Sequence, residues 1–228
     1  MKYSIIIPAY NRLSHLKKCI EGIAKNTDLT DVEVIIVSNG CTDGTPEYIK
    51  SLGNPYKVIH WPEPLGYACA GNVGFNVAKG DYIIRMDSDS IILSPGWLDM
   101  LEAPFTKFPT AGISGPQVCP GNSENSCYAC DFAVFFCVMI KKEVFYKVGY
   151  LDPIFNKGGG EDTDFCARAV RAGYTIHNAQ CVYTPDNIIS FPLFHAPSID
   201  RGEESQEKIE QKQVCAKILE QRYGKVRV

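Results

Sequence analysis

Through its first half the chain alternates short β-rich runs with segments of helical period, and that alternation limits the fold more than any other feature. Residues 3–8, 32–38, 56–60 and 81–87 have the apolar, β-branched make-up of strands. Between the first two, Leu13, Leu16, Ile20 and Ile23 recur at helical spacing, and residues 45–52 and 66–79 also read as helices. The order β-α-β-α-β-α-β predicts an α/β fold: a mainly parallel central sheet with right-handed crossovers and helices on both faces. Ligands of such sheets bind beyond the carboxyl ends of the strands. Three loops fall there: Pro8-Ala9-Tyr10-Asn11, Ser38-Asn39-Gly40-Cys41-Thr42-Asp43, and Asp87-Ser88-Asp89.

The second half has a different rhythm. A helix is expected near 95–107, residues 131–140 read as one long apolar strand, and 141–148 as a short helix. Gly158-Gly159-Gly160 opens into Glu161-Asp162-Thr163-Asp164, after which Phe165, Ala169 and Ala172 share a helical stripe that Gly173 stops. Strands near 174–183 and a Pro-rich stretch lead to His195, and residues 203–222 read as a polar terminal helix. No repeat or linker divides the chain, and 228 residues with 45% hydrophobic content suffice for one core, so residues 1–228 are expected to form a single domain.

Charge narrows the partners. A net charge of only −3 gives no field strong enough to recruit nucleic acid, so a small-molecule partner is expected. The apolar run in MKYSIIIPAYNR is interrupted by Pro8 and Asn11 and is too short for a signal core or a membrane span. A soluble, cytoplasmic protein is the default, which leaves room for peripheral contact with a membrane. Most of the ten cysteines sit inside apolar patterns and read as buried thiols. Cys127 and Cys130 form a C-x-x-C flanked by Cys119 and Cys137, but the pair is not repeated and has no nearby histidines, so zinc is disfavoured.

Two acidic clusters carry the chemistry. With thirteen aspartates in the chain, roughly 0.7 Asp-x-Asp patterns arise by chance, so the pattern alone says little. Position says more: Asp87-Ser88-Asp89 ends a buried strand, where two like charges repel unless a cation joins them. Oxygen ligands there suit Mg²⁺ or Mn²⁺; the competing reading is a solvated turn. Glu161, Asp162 and Asp164 fall on a first helical turn, where the helix dipole accounts for one acid but not three. A carboxylate held there, Asp162 above all, can take a proton from an incoming hydroxyl, with Asp164 the better candidate for a structural role. His195, in an apolar loop between prolines, reads either as a satisfied histidine or as a third metal ligand.

In this order, Ser4-Ile5-Ile6-Ile7-Pro8-Ala9-Tyr10-Asn11-Arg12, Ser38-Asn39-Gly40-Cys41-Thr42-Asp43, Leu65-Gly66-Tyr67 to Asn72, Asp87-Ser88-Asp89 and Gly160-Glu161-Asp162-Thr163-Asp164 resemble the inverting glycosyltransferases of family 2, which have the GT-A fold. The resemblance implies a nucleotide-binding half (1–90), an acceptor-binding and catalytic half (91–200) and a terminal helix (201–228). It implies a nucleotide-diphospho-sugar donor (UDP, dTDP or GDP) and a saccharide-type acceptor. Pro8, Ala9, Tyr10, Asn11, Asn39, Asp43, Gly66, Asn72, Asp87 and Ser88 would then bind the donor. Asp89, Asp87 and His195 would hold Mn²⁺ or Mg²⁺, and Asp162 would be the base with Glu161 beside it. A retaining transferase and a non-catalytic nucleotide-sugar-binding module are the alternatives. Two positions depart from the pattern: many relatives carry aspartate at Ser38 and arginine at Gly71.

Overall fold

A computed structural model describes residues 1–119, 131–157, 159–179, 191–196 and 205–224. Strands β1 (Tyr3–Ala9), β2 (Val32–Asn39), β3 (Tyr56–Trp61) and β4 (Tyr82–Met86) alternate with helices α1 (Leu13–Asn26), α2 (Thr45–Ser51) and α3 (Tyr67–Val77). These four strands are parallel in the order β4-β1-β2-β3. After β5 (Ser90–Ile92) and α4 (Trp97–Lys107) come β6 (Ala111–Gly115), β7 (Val118–Cys119), β8 (Phe132–Ala133) and β9 (Cys137–Lys141). Then follow α5 (Lys142–Val148), a 3₁₀ turn (Pro153–Phe155), α6 (Glu161–Arg171), β10 (Thr175–Asn178), β11 (Leu193–His195) and α7 (Gln206–Tyr223). The main sheet has seven strands in the order β10-β6-β9-β4-β1-β2-β3, with β9 antiparallel to both its neighbours.

Strand alternation sends side chains to two cores. Ile5 and Ile7 of β1 and Ile84 and Met86 of β4 meet Leu16 and Ile23 of α1 and Trp97 of α4 on one face. Ile6 and Ile83 point to the other face, against Phe75 of α3 and Phe165 of α6. The α3 backbone comes so close to β1 that a Cβ at Gly74 would sit 2.2 Å from Ile6 Cγ2, so only glycine fits there.

Three expectations need correction. Residues 131–140 are not one strand: the chain turns at Phe135 and Phe136 between β8 and β9. The backbone carbonyls at this turn serve the acidic loop, Phe136 O accepting from Asp87 N (2.9 Å) and Ser90 Oγ (3.0 Å), and Phe135 O from Arg85 Nη1 (3.0 Å). Tertiary hydrogen bonds thus override the apolar pattern. Asp87 itself lies just beyond β4, because the ladder with β9 ends at the pair Met86–Cys137. The terminal helix is not merely polar, because Cys215 and Leu219 are buried in a small cluster with Phe155. Cys19, Cys137, Cys166 and Cys215 are buried as their apolar settings suggested, while the Cys127/Cys130 pair and residues 180–183 lie outside the described residues. No helix among the described residues is long and apolar enough to cross a membrane.

Candidate active site

The acidic turn joins β4 to β5. Alternation along β4 turns Arg85, fully buried, towards α3, where its guanidinium carbon lies 3.9 Å from the centre of the Tyr67 ring. Arg85 Nη1 donates to Asp87 Oδ1 at 2.7 Å and Tyr67 Oη donates to the same oxygen at 2.6 Å. Asp87 Oδ2 is thereby left facing His195, 3.7 Å from its Nε2. Asp89 repeats the arrangement: Arg12 Nη1 holds Oδ2 at 2.9 Å and Oδ1 lies 3.3 Å from the same histidine nitrogen. His195 reaches the turn because β11 pairs antiparallel with β5, setting His195 opposite Ser90. Its ring stacks on Phe136 with centroids 4.7 Å apart.

Electrostatics follow from this packing. Burial opposes ionisation of Asp87, but the charge of Arg85 and the bonds from His195, Tyr67 and Arg85 outweigh it and hold the carboxyl well below the usual range. The pull of Asp87 and then Asp89 raises the His195 pKa to about 9 against burial. The ligand atoms of Asp87, Asp89 and His195 all lie within 4.8 Å of one another. Two oxygens and one imidazole nitrogen, each carboxylate steadied through its outer oxygen, fit a Mn²⁺- or Mg²⁺-type cation, which would compete with the imidazole proton.

The second acidic cluster opens α6. Gly160, at φ 100°, turns the chain into the helix, and Glu161 and Asp162 follow as its first residues. Burial, then the neighbouring Asp162 charge, pushes Glu161 up to about 7. Burial also raises Asp162, opposed by hydrogen bonds from Thr163 N (2.7 Å) and Thr163 Oγ1 (3.3 Å) to its Oδ1. Glu161 Oε2 and the Nε and Nη2 of Arg85 are buried without a hydrogen-bond partner among the described residues. Asp164 is fully buried and serves the fold instead, accepting from Arg168 Nε (2.9 Å), Arg222 Nη1 (2.8 Å) and Tyr223 Oη (2.6 Å).

Asp87, His195, Glu161 and Asp162 line one cavity of about 610 Å³, together with Tyr10, Asn39 and Gly66. Asp89 stands behind this wall, only 5% exposed, and meets the cavity through His195. Asn39 Oδ1 accepts from Leu65 N at 2.6 Å, which holds the Leu65-Gly66 loop over the site. Gly66 is at φ 87°, and a Cβ there would come within 2.6 Å of Asn156 Cγ.

Several expected donor ligands have other tasks. Asn11 Oδ1 accepts from Thr42 N (2.7 Å) and Asp43 N (3.4 Å), tying two strand-end loops together. Asp43 accepts from Leu13 N (3.0 Å) and Thr45 N (3.1 Å), so it caps the starts of α1 and α2. Asn72 trades hydrogen bonds with the Leu151 backbone at 2.8 and 3.0 Å. Pro8 and Ala9 are strand residues, Ala9 buried, and Ser88 is half-buried in the acidic turn; none of these six lines the cavity. Ser38 is buried with its hydroxyl 3.2 Å from His60 Nδ1. At Gly71, the missing side chain leaves room for a guanidinium from elsewhere: a Cβ there would lie 3.7 Å from Arg85 Nε.

Sequence reasoning missed Arg85, Tyr67, Arg12 and Asn156. Arg85 carried a readable signal, a lone charge inside the apolar strand Tyr82-Ile83-Ile84-Arg85-Met86. Arg12 and Tyr67 fall in the segments that carry the resemblance, but their roles show only in contacts made across the fold.

The strand order, the acidic turn at the carboxyl edge and the cavity beside it define the class: a GT-A domain. A family-wide sequence profile, Glycosyl transferase family 2, matches residues 4–158, well over half of the chain. The chain therefore belongs to glycosyl transferase family 2. It is 38% identical over 92 residues to the glycosyltransferase GlyG of Streptococcus pneumoniae, covering 39% of this chain and 30% of that one. It is 39% identical over 106 residues to the chondroitin synthase of Pasteurella multocida, covering 46% of this chain and 11% of that one. The chain thus spans a minor part of the length of these curated relatives. Among solved structures, S. aureus TarS 1-349 in complex with UDP-GlcNAc superposes with a TM-score of 0.65 at 17% identity, over 95% of this chain and 66% of that one. The mannosyltransferase PcManGT of Pyrobaculum calidifontis, in complex with GDP-Man and Mn²⁺, gives 0.62 at 18% identity, over 78% of this chain and 54% of that one.

Proposed function

We propose that the protein transfers a sugar, with inversion and metal dependence, from a nucleotide-diphospho-sugar to a hydroxyl of a saccharide-type acceptor. The observation that carries this reading is that Asp87 and His195 open onto the same cavity as the coupled acids Glu161 and Asp162. Relatives in complex with GDP-Man and Mn²⁺ or with UDP-GlcNAc support the donor class.

Asp87, Asp89 and His195 would hold the cation, and a bound cation neutralises charge that builds on the leaving diphosphate. Arg85 and Tyr67 fix Asp87 so that one oxygen stays available to it. Tyr10, Asn39 and Gly66, which line the same cavity, would meet the donor. Thr163 favours the ionised form of Asp162, so the proton the pair keeps near neutral pH rests on Glu161. Asp162 accepts the acceptor hydroxyl's proton as its oxygen bonds to the anomeric carbon and the carbon–phosphate oxygen bond breaks. The nucleoside diphosphate leaves with that electron pair.

A thermal-shift panel of UDP-, GDP- and dTDP-sugars with and without Mn²⁺ tests the reading, because a ligand that binds only the folded state raises its melting temperature. One base is expected to give a shift that requires the metal. Equal shifts with and without Mn²⁺ would remove metal dependence, and no shift with any nucleotide would remove the donor class.

A further inference from the structure

The two aspartates of the acidic turn are each held from one side by a guanidinium. Asp87 Oδ1 accepts from Arg85 Nη1 at 2.7 Å and from Tyr67 Oη at 2.6 Å, and Asp89 Oδ2 accepts from Arg12 Nη1 at 2.9 Å. The opposite oxygens, Asp87 Oδ2 and Asp89 Oδ1, face His195 Nε2 at 3.7 and 3.3 Å. Plain neutralisation of two acids does not call for this geometry, since arginine commonly meets a carboxylate side-on through two parallel hydrogen bonds. Here the other arms do something else: Arg12 Nη2 lies 3.2 Å from His15 Nε2, and Arg85 Nε and Nη2 are buried without a hydrogen-bond partner among the described residues. The backbone of the turn is tied as well. Asp87 N donates to Phe136 O (2.9 Å), Ser90 N to Asp87 O (3.0 Å) and Ala196 N to Asp89 O (3.2 Å). Arg12 reaches Asp89 at a local cost, because it starts α1 at φ 61° directly after Asn11 at φ 54°. Two successive non-glycine residues in the left-handed region persist only where their surroundings fix them. Asn11 Oδ1, which accepts from Thr42 N, and Leu13 N, which donates to Asp43 Oδ2, do so on either side.

We propose that Arg12, with Arg85 and Tyr67, restricts Asp89 and Asp87 to one ligand oxygen each and so makes the turn selective for a compact octahedral cation of the Mn²⁺ type over Ca²⁺. This rests on the metal-dependent reading above and adds to it the cation's selectivity and a residue that sets it. Ca²⁺ gathers about six to eight oxygens at longer distances, often drawing both oxygens of a carboxylate, and it tolerates flexible sites; a smaller cation is satisfied by one oxygen from each acid in a rigid one. His195 adds a nitrogen, which an oxygen-seeking ion such as Ca²⁺ uses poorly. Arg12 is a positioning residue, acting on the cation through Asp89. It is also the accessible handle on the site, with its side chain 28% exposed where that of Arg85 is fully buried. Replacing Arg12 removes one positive charge, which favours Mn²⁺ and Ca²⁺ alike because both are divalent. Freeing Asp89 Oδ2 helps only the larger ion. The ratio of the two affinities therefore reads the restraint on the carboxylate, and the absolute affinity does not.

The test reads metal binding without any turnover. Mn²⁺ is titrated into the full chain, free Mn²⁺ is followed by its EPR amplitude, and Ca²⁺ is then added as a competitor. In the parent, Ca²⁺ is expected to need about tenfold or more the concentration of Mn²⁺ to half-occupy the site. Arg12→Gln is expected to bring the two ions within about threefold of each other, and Arg12→Lys, which restores one donor to Asp89, to recover part of the difference. Lys217→Gln, which removes a positive charge from the exposed surface of α7, keeps the parent ratio. A parent that binds Ca²⁺ as tightly as Mn²⁺ overturns the proposal whatever the variants do. So does an Arg12→Gln protein, folded by its melting curve, that keeps the parent ratio. Both of those results leave the metal site standing. Absence of Mn²⁺ binding, or binding that Asp89→Asn leaves intact, would remove the metal site itself and the proposal with it.

Discussion

Arg85 Nη1 and Asp87 Oδ1 lie 2.7 Å apart, a fully buried guanidinium against a carboxylate that opens onto the cavity. Through this pair the strand fixes the orientation of the acidic turn, because the oxygen held by Arg85 and Tyr67 cannot rotate towards His195. Replacing Arg85 with Met leaves Asp87 without its principal counter-charge, and loss of one partner of a buried pair costs about 3–5 kcal/mol. Urea denaturation of Arg85→Met is expected to show a loss of that order, with Arg85→Lys losing less. A variant as stable as the parent would mean that the pair does not organise the turn.

The coupled acids make a pH prediction. A base must be ionised to accept a proton, and burial raises Asp162 above the ordinary aspartate range, so transfer should fall as pH drops at a higher pH than a free aspartate would give. Glu161, raised to about 7 by burial and then by the Asp162 charge, is protonated while Asp162 titrates, so Glu161→Gln should leave the acidic limb of the profile in place. Stability has the opposite dependence. Folded Glu161 holds its proton more tightly than in the unfolded chain, so its contribution is complete below the ordinary carboxylate pKa and is lost as pH rises through about 7. Rate profiles and melting curves across this window check both signs.

The clamp on α7 is separable from the chemistry. Asp164→Ala removes the acceptor of Arg168, Arg222 and Tyr223 at once. Because Arg168 and Arg222 can recover water, the expected loss is about 1–3 kcal/mol in denaturation experiments. Hydrogen exchange in 206–223 should rise more than in β1 or β4. A uniform rise across the chain would contradict a local clamp.

The parallel half of the sheet was legible because Ile5-Ile6-Ile7 and its counterparts alternate with helices of regular period, and both signals depend only on nearby residues. The break at Phe135 and Phe136 was not, because it exists to supply carbonyls to Asp87, Ser90 and Arg85, some fifty residues earlier. Asp87 and Asp162 were readable as acids in suggestive positions, and the structure brings both to one cavity. Asp43 and Asn72 looked equally suitable for a ligand, yet one caps helices and the other ties α3 to the Leu151 backbone. Only the path of the backbone separates such cases. Tyr67 falls in the Leu65-Gly66-Tyr67 motif, but its role was not legible there, since that role depends on the angle from which α3 approaches β4.

The central claim is that Asp162 is the base of a metal-assisted transfer, and Asp162→Asn tests it most directly. Nucleotide-sugar binding with Mn²⁺ should remain close to that of the parent, because the groups assigned to the cation are Asp87, Asp89 and His195. Transfer measured on the same preparation should fall by about 10²–10⁴-fold. Transfer at the parent rate by a folded Asp162→Asn protein would contradict the claim.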